Sequence, residues 1–211
     1  MDNYDKLKIA IRYWLIGAGY NTATQAMDFA EGYHTGKRKD GSPEFAHQIQ
    51  IANYIRTIAS SLLKPEATIA TAFLHDVVED YSVSVSDIEK FFGEEIAHAV
   101  SKVTKLDSYG NKKDQTRLFQ DMSNCPIASV VKGADRIHNF STMNGAFSYK
   151  KQEEYVAEAE ALIIPMLKAA RRKFVQQEPV YENIKFMMTN QITSTKNLLE
   201  TVSNYQSPTA S

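Results

Sequence analysis

Apolar residues recur along this chain at the three- and four-residue spacing of amphipathic helices, and no stretch shows the sustained alternation of a sheet. Leu7, Ile9, Ile11, Trp14, Leu15 and Ile16 give a broad apolar face to a helix over about 5–17, which Gly17 and Gly19 stop. Thr22-Ala23-Thr24-Gln25 has the form of a capping box and opens a helix running through Tyr33 and His34 to Gly36. Lys37 to Pro43 then read as a basic loop. Pro43 suits the first turn of a helix reaching about Leu63, with Phe45, Ile49, Ile51, Ala52 and Ile55 inward. Pro65 starts a helix predicted to continue through Phe73-Leu74-His75-Asp76-Val77-Val78-Glu79-Asp80. Ser86-Asp87-Ile88-Glu89 reads as a second capping box, for a short helix ending at Gly93. Helices over 94–105 and 114–123 flank a polar loop at 106–114. After Cys125-Pro126, the residues Ile127, Val130, Val131, Ala134 and Ile137 form one buried stripe. A loop over 143–151 precedes two longer helical segments, 152–177 and 180–204, divided around Glu178-Pro179. The pattern predicts an all-α chain with at most one short hairpin, near 82–85 or 106–112.

Composition narrows the class. With 211 residues, 43% of them hydrophobic, the chain can bury one substantial core, as a single domain or a core with an appendage. A net charge of -1 gives no reason to expect nucleic acid or an anionic membrane as partner. The single cysteine, Cys125, excludes an internal disulfide framework and fits a reducing compartment. No apolar run approaches the roughly 18–20 residues of a membrane span, and the acidic start Met1-Asp2-Asn3-Tyr4-Asp5 is unlike a signal peptide. A soluble cytoplasmic protein is the expectation. No period of 20–50 residues repeats, which argues against a solenoid.

The chemistry concentrates at residues 73–80. On a continuous helix, His75 and Glu79 fall at i, i+4, as do Asp76 and Asp80, beside the apolar Phe73, Leu74, Val77 and Val78. An imidazole and three carboxylates next to a core are costly unless a cation or specific partners compensate them. His47 and Asp135, on two other predicted helices, complete a set of two imidazoles and two carboxylates, the donors a divalent ion takes. Each also has a plainer reading: His47 as a partly exposed histidine near a helix start, Asp135 as the partner of a surface lysine or arginine. The ordered combination carries more than its parts.

That order, His47, then His75-Asp76, then Asp135, resembles the metal-binding signature of the HD superfamily. His34-Thr35-Gly36-Lys37-Arg38-Lys39-Asp40-Gly41 is similar to a basic loop of the family. His75-Asp76-Val77-Val78-Glu79-Asp80 is similar to its His-Asp-x-x-Glu-Asp box, and Lys132-Gly133-Ala134-Asp135-Arg136-Ile137-His138-Asn139 to its last metal-ligand helix. Together they resemble the hydrolase domain of RelA/SpoT proteins and their small, hydrolase-only relatives, over roughly residues 22–170. The resemblance implies an HD-domain helical bundle, within 1–178; the pattern beyond it predicts a C-terminal helix over 179–205, packed on the core or at an interface, and a flexible tail at 206–211. It implies hydrolysis of the 3′-pyrophosphate of ppGpp, with His47, His75, Asp76 and Asp135 holding one Mn²⁺ and with Glu79 and Asp80 activating water. It places Arg38, Lys39, Asn139 and Thr142 at the nucleotide. Lys112, Lys113, Lys150 and Lys151 lie in predicted loops near the phosphates, with solvated surface lysine as their plainer reading. A small-molecule nucleotide is the expected partner, with neither nucleic acid nor membrane; a homo-oligomer is compatible with the apolar C-terminal helices.

Three departures bear on the substrate. Glu44 stands where the family has an aromatic residue, Gln48 where a proline commonly follows the first ligand histidine, and Ser141 where an arginine is usual before Thr142. They leave the metal set intact and put nucleotide identity in question. The alternatives are an HD-type phosphohydrolase acting on a nucleotide monophosphate or NADPH, and a non-catalytic nucleotide sensor.

Overall fold

A computed structural model describes residues 3–38, 41–107 and 109–206, and the all-α expectation holds in it. The helices are α1 (Asn3–Gly17), α2 (Asn21–Tyr33), α3 (Ala46–Thr57), α4 (Pro65–Leu74), α5 (Val77–Asp80), α6 (Val85–Phe92), α7 (Glu94–Val103), α8 (Gln115–Met122), α9 (Pro126–Thr142), α10 (Tyr149–Glu158), α11 (Ile164–Lys173) and α12 (Glu178–Gln206). Among the described residues extended pairing is confined to two isolated antiparallel bridges, Lys37 with Pro43 and Leu106 with Lys112. The hairpin expectation is met at 106–112 and not at 82–85; the basic loop is the second bridged turn.

Two helices form the centre. In α4 every residue from Ala67 to Leu74 is buried, and α2, α3, α7 and α9 pack around it. In α9 burial is continuous from Ile127 to Ile137. A helix apolar or small all round can be enclosed by neighbours, and the Ala- and Thr-rich Ala67-Thr68-Ile69-Ala70-Thr71-Ala72 lets those neighbours approach closely. Gly133 does the same for α9: a Cβ there would stand 2.6 Å from Cγ2 of Ile184 and 3.3 Å from Cδ2 of Leu167. The last helix therefore packs on the core, burying Tyr181, Ile184, Met188 and Ile192. Residues 207–211, most of the expected tail, lie outside the described residues.

Several boundaries differ from the sequence expectation. The helix from Pro65 is not continuous through Asp80: it ends at Leu74, and His75 and Asp76 form a turn before the four-residue α5. His75 Nδ1 donates to the carbonyl of Ala72 at 2.9 Å, a side-chain competitor for a helical acceptor. The expected capping box at Thr22 is absent; Glu66 Oε1, from the first turn of α4, accepts from the backbone N–H of Thr22 at 2.7 Å and of Ala23 at 3.4 Å. A carboxylate there satisfies orphan amides and the helix dipole together. The second capping box is built two residues earlier than expected, from Ser84 and Asp87. The expected helix over 152–177 starts at Tyr149 and contains a π-helical turn at Ala159–Ile163, just before Pro165. Proline has no N–H and crowds the preceding turn, and one extra residue in the turn relieves both. Lys150 and Lys151 accordingly sit on α10 rather than in a loop.

Candidate metal centre

Three elements bring the centre together: His47 comes from the first turn of α3, His75 and Asp76 from the turn after α4, and Asp135 from the middle of α9. His47, His75 and Asp135 are all buried, and each offers a ligand atom within 4.8 Å of the others. His47 Nε2 lies 3.3 Å from Asp135 Oδ1 and 3.8 Å from Asp76 Oδ2. His75 Nε2 lies 3.0 Å from Asp76 Oδ2 and 4.0 Å from Asp135 Oδ1. Asp76, half-buried, thus flanks the buried trio.

The donor set fits a divalent ion. Because Nδ1 of His75 is committed to the Ala72 carbonyl, the neutral ring carries its lone pair on Nε2. That Nε2 is buried and faces the carboxylates of Asp76, at 3.0 Å, and Asp135, at 4.0 Å. An imidazole nitrogen turned to two carboxylates and a second imidazole, with the ring's other nitrogen tied to the backbone, belongs to the kind of donor set a divalent cation takes.

Electrostatics around the set is uneven. Burial pushes His47 down, against the pull of Asp135. Burial acts the same way on His75, but Asp76 and Asp135 outweigh it and push the imidazole up to about 9. Burial alone would raise Asp76 and Asp135; the His75 ring beside the first and the Lys132 ammonium beside the second hold both below the usual carboxylate range.

Residues around the centre have specific duties. Lys132 Nζ donates to Asp135 Oδ2 at 2.9 Å, and Asn139 Nδ2 donates to Asp135 Oδ1 at 2.6 Å, so α9 grips its own carboxylate from one turn on either side. The plain reading of Asp135 as a lysine partner is therefore half right, except that the pair is buried at the site instead of on the surface. Thr142 donates to the carbonyl of His138 at 3.1 Å, and Ser141 does so at 2.7 Å. His138 itself approaches His47, Nδ1 to Nδ1, at 2.8 Å. Arg38 lies near enough that its charge bears on His138. Lys39 lies outside the described residues.

Asp80 and Glu79 are placed differently. Glu79 accepts from both the backbone N–H and the Nζ of Lys105, the latter at 3.1 Å. The backbone N–H of Asp80 donates to the carbonyl of Asp76 at 2.9 Å, while its carboxylate makes no hydrogen bond or ion pair among the described residues; burial, Asp76 and Glu79 raise that carboxyl above the ordinary range. Both line a cleft of about 420 Å³ whose walls include Lys105, Lys112, Lys132 and Leu118. Lys113 also reaches this cleft but is spent on the end of α7, donating to the carbonyls of Ser101 at 2.7 Å and Thr104 at 2.9 Å. Lys150 and Lys151 are exposed, and Lys151 pairs with Glu154, as the solvated reading holds.

The departures are partly explained. Glu44 is structural: its Oε2 accepts from the N–H of Gly36 at 3.2 Å, while its own N–H donates to the Gly36 carbonyl at 3.0 Å, closing the basic loop at its base. Gln48 is buried beneath that loop, where its Nε2 donates to His34 Nε2 at 2.9 Å. Lys132 and His138 are the site residues that motif reading passed over; both lie three positions from Asp135, which puts them on its face of α9.

Residues 26–173 match the model of the HD domain family. Over 150 residues the chain is 37% identical to a probable guanosine-3′,5′-bis(diphosphate) 3′-pyrophosphohydrolase from Synechocystis, covering 67% of this chain and 19% of that protein. Over 148 residues it is 32% identical to a GTP pyrophosphokinase from Streptomyces coelicolor, covering 67% of this chain and 17% of that protein. The chain thus spans about a fifth of the length of these curated relatives. Its fold matches a solved structure of a metazoan ortholog of SpoT that hydrolyzes ppGpp, with a TM-score of 0.65 and 21% identity over 82% of this chain and 95% of that one.

Proposed function

Because the chain belongs to the HD-domain family, we propose that it is a metal-dependent guanosine-3′,5′-bis(diphosphate) 3′-pyrophosphohydrolase, converting ppGpp and water to GDP and pyrophosphate. The observation that carries this reading is the convergence of His47, His75 and Asp135, with the Nε2 of His75 turned to the carboxylates of Asp76 and Asp135, beside a lysine-walled cleft. The Synechocystis relative, which bears that activity in its name, supports the choice of substrate.

In this reading His47, His75, Asp76 and Asp135 hold one Mn²⁺. The bound ion lowers the pKa of water and offsets phosphate charge. Asp80, the unpaired carboxylate on the cleft wall, takes the proton of the attacking water. Glu79 works with it through Lys105, which it holds against the cleft where the pyrophosphate oxygens gather. Lys112 and Lys132 add positive charge on the same walls. Arg38 stacks its planar guanidinium on the base, and Lys39 belongs to the same loop. Asn139 orients Asp135, and Thr142 turns its hydroxyl from the His138 carbonyl to a phosphate oxygen. No helix among the described residues is long and apolar enough to cross a membrane, and action in the cytoplasm goes with this reading.

A panel of purified nucleotides incubated with Mn²⁺ tests the substrate. Stoichiometric GDP and pyrophosphate from ppGpp is the expected result. Orthophosphate release without pyrophosphate, from ppGpp or from NADPH in preference to it, rejects the reading.

A further inference from the structure

The two imidazoles of the centre are oriented by different means. His75 is fixed by a main-chain carbonyl: Ala72 O can only accept, so Nδ1 of His75 must carry a proton whenever the bond is made. His47 has no such carbonyl. Its Nδ1 meets another imidazole nitrogen, Nδ1 of His138, at 2.8 Å, with the rings edge to face at a centroid distance of 4.7 Å. Two imidazole nitrogens at that distance share one proton, which belongs either to His47 or to His138.

Chemistry at the far side of the ring decides which. His47 Nε2 is the nitrogen turned to Asp135 and Asp76. A metal ligand needs its lone pair there, so the proton must sit on Nδ1 and be donated to His138. His138 then accepts on Nδ1 and carries its own proton on Nε2. We propose that His138 is a positioning residue that holds the His47 ring and its Nε2 lone pair toward the bound ion, through the bond His47 Nδ1–H to His138 Nδ1. The inference rests on the metal reading above.

Placement supports it. His138 lies one turn beyond Asp135 on α9, so a single helix supplies one ligand directly and the support of another. Its own carbonyl is held by Ser141 and Thr142, and the neighbouring carbonyl of Ile137 accepts from Gln191 of α12 at 3.1 Å, which together anchor this turn of the helix. His138 is only partly buried, so its ring is not needed to fill the core.

The test compares His138→Phe, which keeps a ring and removes the acceptor, with His138→Asn, whose side-chain oxygen can stand in for Nδ1. Mn²⁺ affinity is read by titration calorimetry on the intact chain, alongside thermal unfolding of the metal-free protein. The Phe variant is expected to bind Mn²⁺ about 10- to 100-fold more weakly, with the Asn variant recovering a substantial part and both unfolding near the wild-type temperature. In the wild type loaded with diamagnetic Zn²⁺, the His47 Nδ1 proton is expected as a slowly exchanging NMR resonance, retained with Asn and lost with Phe. Wild-type Mn²⁺ affinity in the Phe variant overturns the inference while leaving the metal reading in place. A freely exchanging His47 Nδ1 proton in the wild type overturns it without any variant, should the Phe protein fail to fold. A wild type that binds no divalent ion removes the metal reading and this inference with it.

Discussion

Asp80 and Glu79 are chain neighbours with opposite surroundings, and that difference divides their work. Glu79 is clamped by two donors of Lys105, whereas Asp80 faces the cleft unpaired. Asp80→Asn keeps the shape and removes the proposed base: kcat is expected to fall about 10²-fold or more, while Mn²⁺ stoichiometry by elemental analysis stays at the wild-type value. If metal is lost along with activity, Asp80 is a ligand and the assignment fails. The ion pair of Asp135 with Lys132 and its proposed ligand role can be pulled apart. Asp135→Ala removes a proposed ligand and also strands the buried ammonium of Lys132, which costs about 3–5 kcal/mol. Adding Lys132→Met to Asp135→Ala removes the stranded charge. The double variant is therefore expected to regain most of the lost melting temperature and none of the Mn²⁺ binding. Recovery of both would show that Asp135 serves only the ion pair. Of these residues, the proposed ligands were legible in the sequence because each sits beside a recognisable apolar stripe. The Glu79–Lys105 clamp was not, since it spans a loop whose path no local spacing dictates.

Elements were legible where periodicity alone decides them and illegible where a distant group does. The apolar spacing of α3, α7 and α9 specified those helices, and Pro65 and Pro126 marked two of the starts. The break after Leu74 comes from the His75 ring taking a carbonyl, a consequence of site geometry. The start of α2 is capped by Glu66, 44 positions further along the chain in its bond to Thr22. Glu66→Ala should expose that dependence: with the acceptor gone, loss of a cap costs about 1 kcal/mol, seen as a lower melting temperature with unchanged Mn²⁺ affinity. An unchanged melting temperature would mean that water satisfies the two amides equally well. Gly133 makes the opposite point, a residue whose helix propensity misleads. On an isolated helix Gly→Ala gains about 1 kcal/mol. In α9 the new methyl would meet the β-branched side chain of Ile184 at 2.6 Å, and overpacking costs about 1–3 kcal/mol. The methyl also lies two residues from Asp135, on the helix that carries it. Gly133→Ala is expected to lower the melting temperature and, by shifting α9, to weaken Mn²⁺ binding. A stabilised variant would show that α12 yields easily.

At the scale of the molecule, the centre is supported by a core that does not depend on it. The apolar contacts of α4 with α2, α3, α7 and α9, and of α9 with α12, enclose residues such as Phe73, Ile69, Val130 and Ile184 without any polar ligand taking part. The metal should therefore stabilise a fold that already exists, unlike small metal-nucleated domains, in which binding free energy is folding free energy. Ligand linkage sets the size of the effect. At a free Mn²⁺ concentration 100 times the dissociation constant the gain is about 2.7 kcal/mol, which for a chain of this length corresponds to on the order of 5–10 °C in melting temperature. Chelation is thus expected to abolish ppGpp turnover and lower the melting temperature by that amount, while the far-ultraviolet circular dichroism stays helical. Returning Mn²⁺ should restore both quantities together. Loss of the helical signal on chelation would show that the buried carboxylates Asp76 and Asp135 cannot be tolerated without their cation, and that the ion is a structural element of α4 and α9 as well as a reagent of the cleft.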